Sequence, residues 1–153
     1  MKINHIGAGL AIISALFLSA CVTAPTGDTV GNPPTKPIGP VTVNGSCEQR
    51  DDMGYSDKIS IVVKDNVVSA LDWTAKPRGN ACRFLLKNFK QISSTPIANL
   101  QHKKDKKCHI FVWQDERHIT VATNNCRKVC GQNDRLLPVL LDPSTGSCKA
   151  VPK

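Results

Sequence analysis

The sequence predicts a small, mainly β domain: an antiparallel sheet or flattened barrel of about five to seven strands, stapled by disulfides and carrying one short helix. Three observations predict it. Short β-branched runs alternate with polar turn formers, six of the seven cysteines fall after residue 40, and the foldable stretch, 41–153, is too short for a large core.

Ile59-Ser60-Ile61-Val62-Val63 alternates, and Val67 to Trp73 follows after Lys64-Asp65-Asn66, which predicts a hairpin. Pro77, Gly79 and Asn80 then interrupt the pattern. Beyond them Leu85, Phe89 and Ile92 recur at i, i+4 and i+7 with Asn80 placed as an N-cap, predicting a helix of about ten residues. The alternation of Cys82, Phe84 and Leu86 is the competing strand pattern. Ser93-Ser94-Thr95-Pro96 ends this element, and Ile97 to Leu100 reads as a short strand. The clearest unit pairs Cys108–Trp113 with His118–Thr123 around Gln114-Asp115-Glu116-Arg117, with His118 near Trp113. Apolar residues on both faces of its first arm predict a central strand. Leu136 to Leu141 reads as a last strand that Pro138, lacking an N–H, confines to an edge or a bulge. Asp142-Pro143-Ser144-Thr145-Gly146 is a turn signal.

The even set Cys47, Cys82, Cys108, Cys126, Cys130 and Cys148 predicts three disulfides, each worth roughly 2–4 kcal/mol. Six cysteines allow fifteen pairings. Cys108 with Cys126 closes the open end of the second hairpin, and Cys130 with Cys148 and Cys47 with Cys82 complete the expected set. Neither zinc-ligand spacing nor a Cys-x-x-Cys pair occurs, so no metal and no redox role is expected.

The amino terminus carries an address. Lys2 precedes a short apolar run, Ile6 to Leu18, of about 13 residues, too few to cross roughly 30 Å of hydrocarbon as a helix. Leu18-Ser19-Ala20-Cys21 resembles the lipobox of bacterial lipoproteins. That resemblance implies a signal peptide over 1–20, acyl chains such as palmitate on Cys21, and Cys21 as first mature residue. In the enteric sorting rule an Asp after that Cys retains the protein at the inner membrane. Val22 stands there, which implies outer-membrane delivery facing the periplasm or the cell exterior. Residues 21–40, rich in Pro and Gly, then read as an extended tether, and 41–153 as the domain.

Without Lys2 the chain carries 19 basic and 12 acidic residues, a net charge of +7. Exported protein meets no intracellular nucleic acid, so the anionic partners within reach are lipid head groups, lipopolysaccharide phosphates and acidic proteins. The compact run Lys103-Lys104-Asp105-Lys106-Lys107 is the candidate docking loop, read through Lys103, Lys104, Lys106 and Lys107. Trp73, Trp113, Tyr55 and Phe111 are the candidate aromatic anchors, with Trp113 expected in the core. No hydrolase or phosphate-loop motif occurs. The paired acids Asp51-Asp52 and Asp115-Glu116 sit in loops, and His102, His109 and His118 are not spaced as ligands. No enzyme activity, catalytic residue or cofactor is expected.

In size, address and strand content the chain also resembles small periplasmic lysozyme inhibitors, disulfide-linked β domains commonly tethered by a lipobox cysteine. Cys126-x-x-x-Cys130-Gly131 after a strand is similar to envelope proteins grouped near them. The resemblance implies a domain that binds another protein, inhibiting a cell-wall hydrolase or neutralising a toxin. Animal-type lysozymes are strongly basic, so at +7 electrostatics oppose that particular encounter. The alternative is a structural or assembly lipoprotein of an envelope secretion or pilus machine.

Overall fold

The computed structural model describes residues 37–77, 80–115, 117–131 and 136–149. The expected signal peptide, Cys21 and the tether up to residue 36 lie outside the described residues. Among those described, the protein is mainly β, as expected. Strands β1 (Val43–Arg50), β2 (Ser56–Lys64), β3 (Val67–Lys76) and β4 (Cys82–Leu85) form one antiparallel sheet in sequence order. Strands β5 (Phe89–Ser93), β6 (Ala98–His102), β7 (His109–Gln114), β8 (Ile119–Asn124) and β9 (Val139–Leu141) form a second, also in sequence order.

The helix expected after Asn80 is instead β4, a 3₁₀ turn at Leu86–Asn88, and β5. The competing alternation was the physical one, since Cys82 and Phe84 are fully buried while Arg83 is exposed. The three-residue turn resets the side-chain phase, so Phe89 is buried again and Ile92 is 48% exposed. Leu85, Phe89 and Ile92 thus imitate a helical stripe without sharing a face. Among the described residues nine strands replace the expected five to seven, because this segment supplies two and the polar Val43–Arg50 supplies a third.

The two sheets share one core and are joined at both margins. On one side the chain itself carries β4, paired with β3, through the 3₁₀ turn into β5, paired with β6. Where β5 leaves β3, the Gln91 side chain bridges the gap: Oε1 accepts from Val68 N–H at 3.0 Å and Nε2 donates to Asn66 O at 2.6 Å. On the other side residues 146–149 lie between β9 and β1. Lys149 N–H donates to Leu140 O (2.8 Å), Leu141 bridges Cys148, and Ser46 N–H on β1 donates to Gly146 O (3.1 Å). Gly146 (φ +68°) and Gly45 meet there, and a Cβ on Gly146 would strike Asn44 O and lie 2.7 Å from Gly45 Cα. Trp73, Phe84, Ile59, Ile61, Leu100, Ile110, Ile119 and Leu141, drawn from both sheets, fill the interior.

The first hairpin turns on Asp65 (φ 49°) and Asn66 (φ 63°), a two-residue turn of the hand that matches strand twist. The second is tighter than expected. Asp115 Oδ1 accepts the N–H groups of Arg117 and His118, and Asp115 N–H donates to His118 O (3.0 Å). Trp113 therefore faces Thr120, and His118 faces Asp115 rather than Trp113. Strand β7 is central as expected, and β9, last in the order of its sheet, starts after Pro138 and is flanked by the tail.

The disulfides are Cys47–Cys148, Cys82–Cys130 and Cys108–Cys126, with Cα separations of 5.2, 4.8 and 4.3 Å. Only Cys108–Cys126 was expected. The expected Cys47–Cys82 and Cys130–Cys148 pairs are corrected by topology. Cys47 on β1 lies against the tail that bridges β9, whereas Cys82 opens β4 at the far edge of that sheet.

Candidate functional site

The lysine loop joins β6 to β7. The last residue of β6 and the residue before β7 clamp its ends: His102 N–H donates to Cys108 O (3.0 Å), and Cys108 N–H donates to Asp105 O (3.0 Å). Cys108 is disulfide-bonded as well. Asp105 organises the interior, its N–H donating to His102 Nδ1 (3.0 Å) while its Oδ1 accepts from Lys107 N–H (3.3 Å). Lys106 O lies 3.1 Å from both Gln101 Nε2 and His109 Nε2. A run of like charges is usually a mobile, solvated loop. Here the backbone is tied at nearly every residue, while the side chains of Lys103, Lys104, Lys106 and Lys107 remain exposed.

The loop is also docked on the 3₁₀ turn. Lys103 N–H donates to Asn88 O (2.8 Å), and Lys103 Nζ donates to Lys87 O (2.7 Å). Between turn and loop opens a cleft of about 230 Å³ lined by Lys87, Asn88, His102, Lys103 and Lys104. Phe89 packs edge-on against the His102 ring, with centroids 5.0 Å apart. Burial disfavours the charged imidazole and holds His102 below its ordinary value. Asp105 opposes this, and Lys104 and Lys106 reinforce it. Sequence reasoning found the four lysines but not Lys87, Asn88 or His102. Lys87 and Asn88 fell in the expected helix, and the one available signal was the adjacency of His102 to the lysine run.

Of the remaining candidates, Glu116 lies outside the described residues. Asp51 Oδ1 accepts from Met53 N–H (2.9 Å) and Tyr55 N–H (2.8 Å), which makes it a turn former, as Asp115 is in its own hairpin. His109 Nδ1 lies 2.9 Å from Asn99 Oδ1, and its ring stacks on Phe111. His118 Nδ1 is buried, without a hydrogen bond, 4.0 Å from Asp115 Oδ1. Trp73, Trp113 and Tyr55 are buried, Trp113 as expected, and Phe111 is half-buried.

A buried carboxyl that sequence reasoning missed lies near the start of β2. Asp57 is 1% exposed. It accepts hydrogen bonds from Trp73 Nε1 (2.7 Å), Tyr55 OH (3.3 Å) and Gln49 Nε2 (3.4 Å). Burial raises its carboxyl above the ordinary value despite these donors, and burial with the Asp57 charge raises the Tyr55 hydroxyl strongly. Tyr55 OH also lies 3.2 Å from Leu137 N, tying β2 to the segment before β9.

Among the described residues no three His, Cys, Asp or Glu side chains are grouped to hold a metal, and no helix is long and apolar enough to cross a membrane. No known protein family, curated protein or solved structure matches the chain.

Proposed function

We propose that the chain is a lipid-anchored envelope protein, held to the outer membrane through acyl groups on Cys21, whose β domain binds another protein. Inhibition of a cell-wall hydrolase and neutralisation of an incoming toxin are its specific forms. The observation that carries this reading is the construction of the lysine loop. Ordering a flexible loop on binding costs about 0.5–1.5 kcal/mol for each immobilised long side chain, and more for backbone. A loop already tied through His102, Asp105, Lys106 and Cys108 presents its ammonium groups with the backbone part of that cost removed. Four lysines against one aspartate favour an acidic face on the partner and steer its approach. Screening over roughly 8 Å at physiological salt confines the attraction to close range. The Pro- and Gly-rich tether lets the domain search tens of ångströms from the bilayer, roughly.

The test is affinity capture from native envelopes with the full lipidated chain, beside the variant in which Lys103, Lys104, Lys106 and Lys107 become Ser. A soluble hydrolase or toxin retained by the wild type, lost by the variant and released by salt supports the reading. A multi-protein envelope complex retained equally by both replaces it with the assembly-lipoprotein alternative.

A further inference from the structure

We propose that the cleft between the 3₁₀ turn and the lysine loop is a binding site for a phosphate-bearing group. This inference goes beyond partner docking, and it holds whether or not Cys21 carries lipid. Three of the five lining residues, Lys87, Lys103 and Lys104, are lysines, and none of the five is acidic. The nearest acid along the loop, Asp105, has Oδ1 engaged by Lys107 N–H. A dianion would neutralise two of the three charges.

The cationic donors are lysines alone, since no arginine lines the cleft. Lysine ammonium groups are point charges with three rotatable donors, suited to a tetrahedral oxyanion approached from several directions. The Asn88 side chain adds a neutral amide. His102 adds a donor of defined tautomer: because Nδ1 accepts the Asp105 N–H, the proton of the neutral ring resides on Nε2. Phe89 holds the edge of that ring, and the Lys103 side chain is already anchored at Lys87 O.

Phosphate of this kind is offered by lipid head groups and by soluble phosphate esters, and the test separates them. The full chain carrying Cys21→Ser, free of acyl groups, is titrated with inorganic phosphate while the His102 ring and the Lys103 and Lys104 amide resonances are followed. Two double variants lose the same charge: Lys87→Ser with Lys104→Ser, and Lys106→Ser with Lys107→Ser. Saturable shifts are expected, weakened about 10-fold or more by the first pair and less than about 2-fold by the second. Equal weakening by both pairs reduces the effect to net charge and overturns the proposal, as does an absence of saturation. The same chain is then sedimented with phosphatidylcholine vesicles containing phosphatidic acid. Retention that free phosphate displaces assigns the group to a lipid head group, and phosphate binding without retention assigns it to a soluble ester. Failure here leaves partner capture by the lipidated chain untouched, and failure of capture leaves this titration interpretable.

Discussion

Replacing Cys47 and Cys148 together by Ser should be the most destabilising removal of a single bridge. This disulfide spans 101 residues, against 48 for Cys82–Cys130 and 18 for Cys108–Cys126. In the chain-entropy description, closing a bare 101-residue loop stabilises by about 4.7 kcal/mol and an 18-residue loop by about 3 kcal/mol. The bridges are not independent, however. Cys82–Cys130 lies inside the larger loop and short-cuts roughly half of it, which lowers the expected cost of losing Cys47–Cys148 to about 4 kcal/mol. The bridge also holds the seam where Ser46 N–H meets Gly146 O and Cys148 pairs with Leu141, so the loss cannot be confined to the unfolded chain. The assay is equilibrium urea unfolding of the two double variants, Cys47/Cys148→Ser and Cys108/Cys126→Ser, at one pH, with slope and midpoint compared. The first should lose about 1 kcal/mol more than the second. A smaller loss for Cys47/Cys148→Ser would refute the closure argument and the role assigned to the seam. Peptide mapping of the non-reduced wild type checks the connectivity itself.

Asp57→Asn tests the buried carboxyl. Because burial raises its folded-state value above 3.8, the native state binds the extra proton, and this group's contribution to stability falls as pH rises past 3.8 through the folded-state value. Urea midpoints of the Asn variant should gain on wild type from pH 3 to pH 7, and an unchanged difference across that range would contradict the assignment. Gly146→Ala should cost about 2–3 kcal/mol, combining a left-handed alanine with loss of the Ser46–Gly146 hydrogen bond, measured by thermal or urea unfolding. Cys21→Ser should abolish acylation and outer-membrane retention, and a variant still held there after carbonate washing would remove the lipobox from the argument.

What was legible in the sequence was local. Asp65-Asn66 can adopt positive φ and turn the chain within two residues, so the first hairpin followed from turn chemistry alone. Asp115 likewise announced the second hairpin, although its two captured N–H groups shortened the loop and moved His118 past Trp113. Pro138 marked the start of the last strand, which begins only at Val139. Strand β1 was not legible, since Asn44, Gly45, Ser46, Glu48 and Gln49 have little β character. They are extended because β2 pairs with them on one side and the tail meets them on the other.

The sequence by itself determined a mainly β, disulfide-stapled domain, its two hairpins and the bridge across the second, because each depends on residues close along the chain. Only the tertiary structure decided the rest. A three-residue turn shifted the phase between Phe84 and Phe89, and no local periodicity separates that shift from a helix. Closure between β9 and β1 chose Cys148 for Cys47, and sheet order left Cys82 to Cys130. The antiparallel pairing of β5 with β6, which sets Phe89 opposite His102, carried Lys87 and Asn88 to the lysine loop, making a cleft from segments that a linear reading keeps apart. Hairpins are read from turns; joining two sheets is a long-range choice, made by which margins meet.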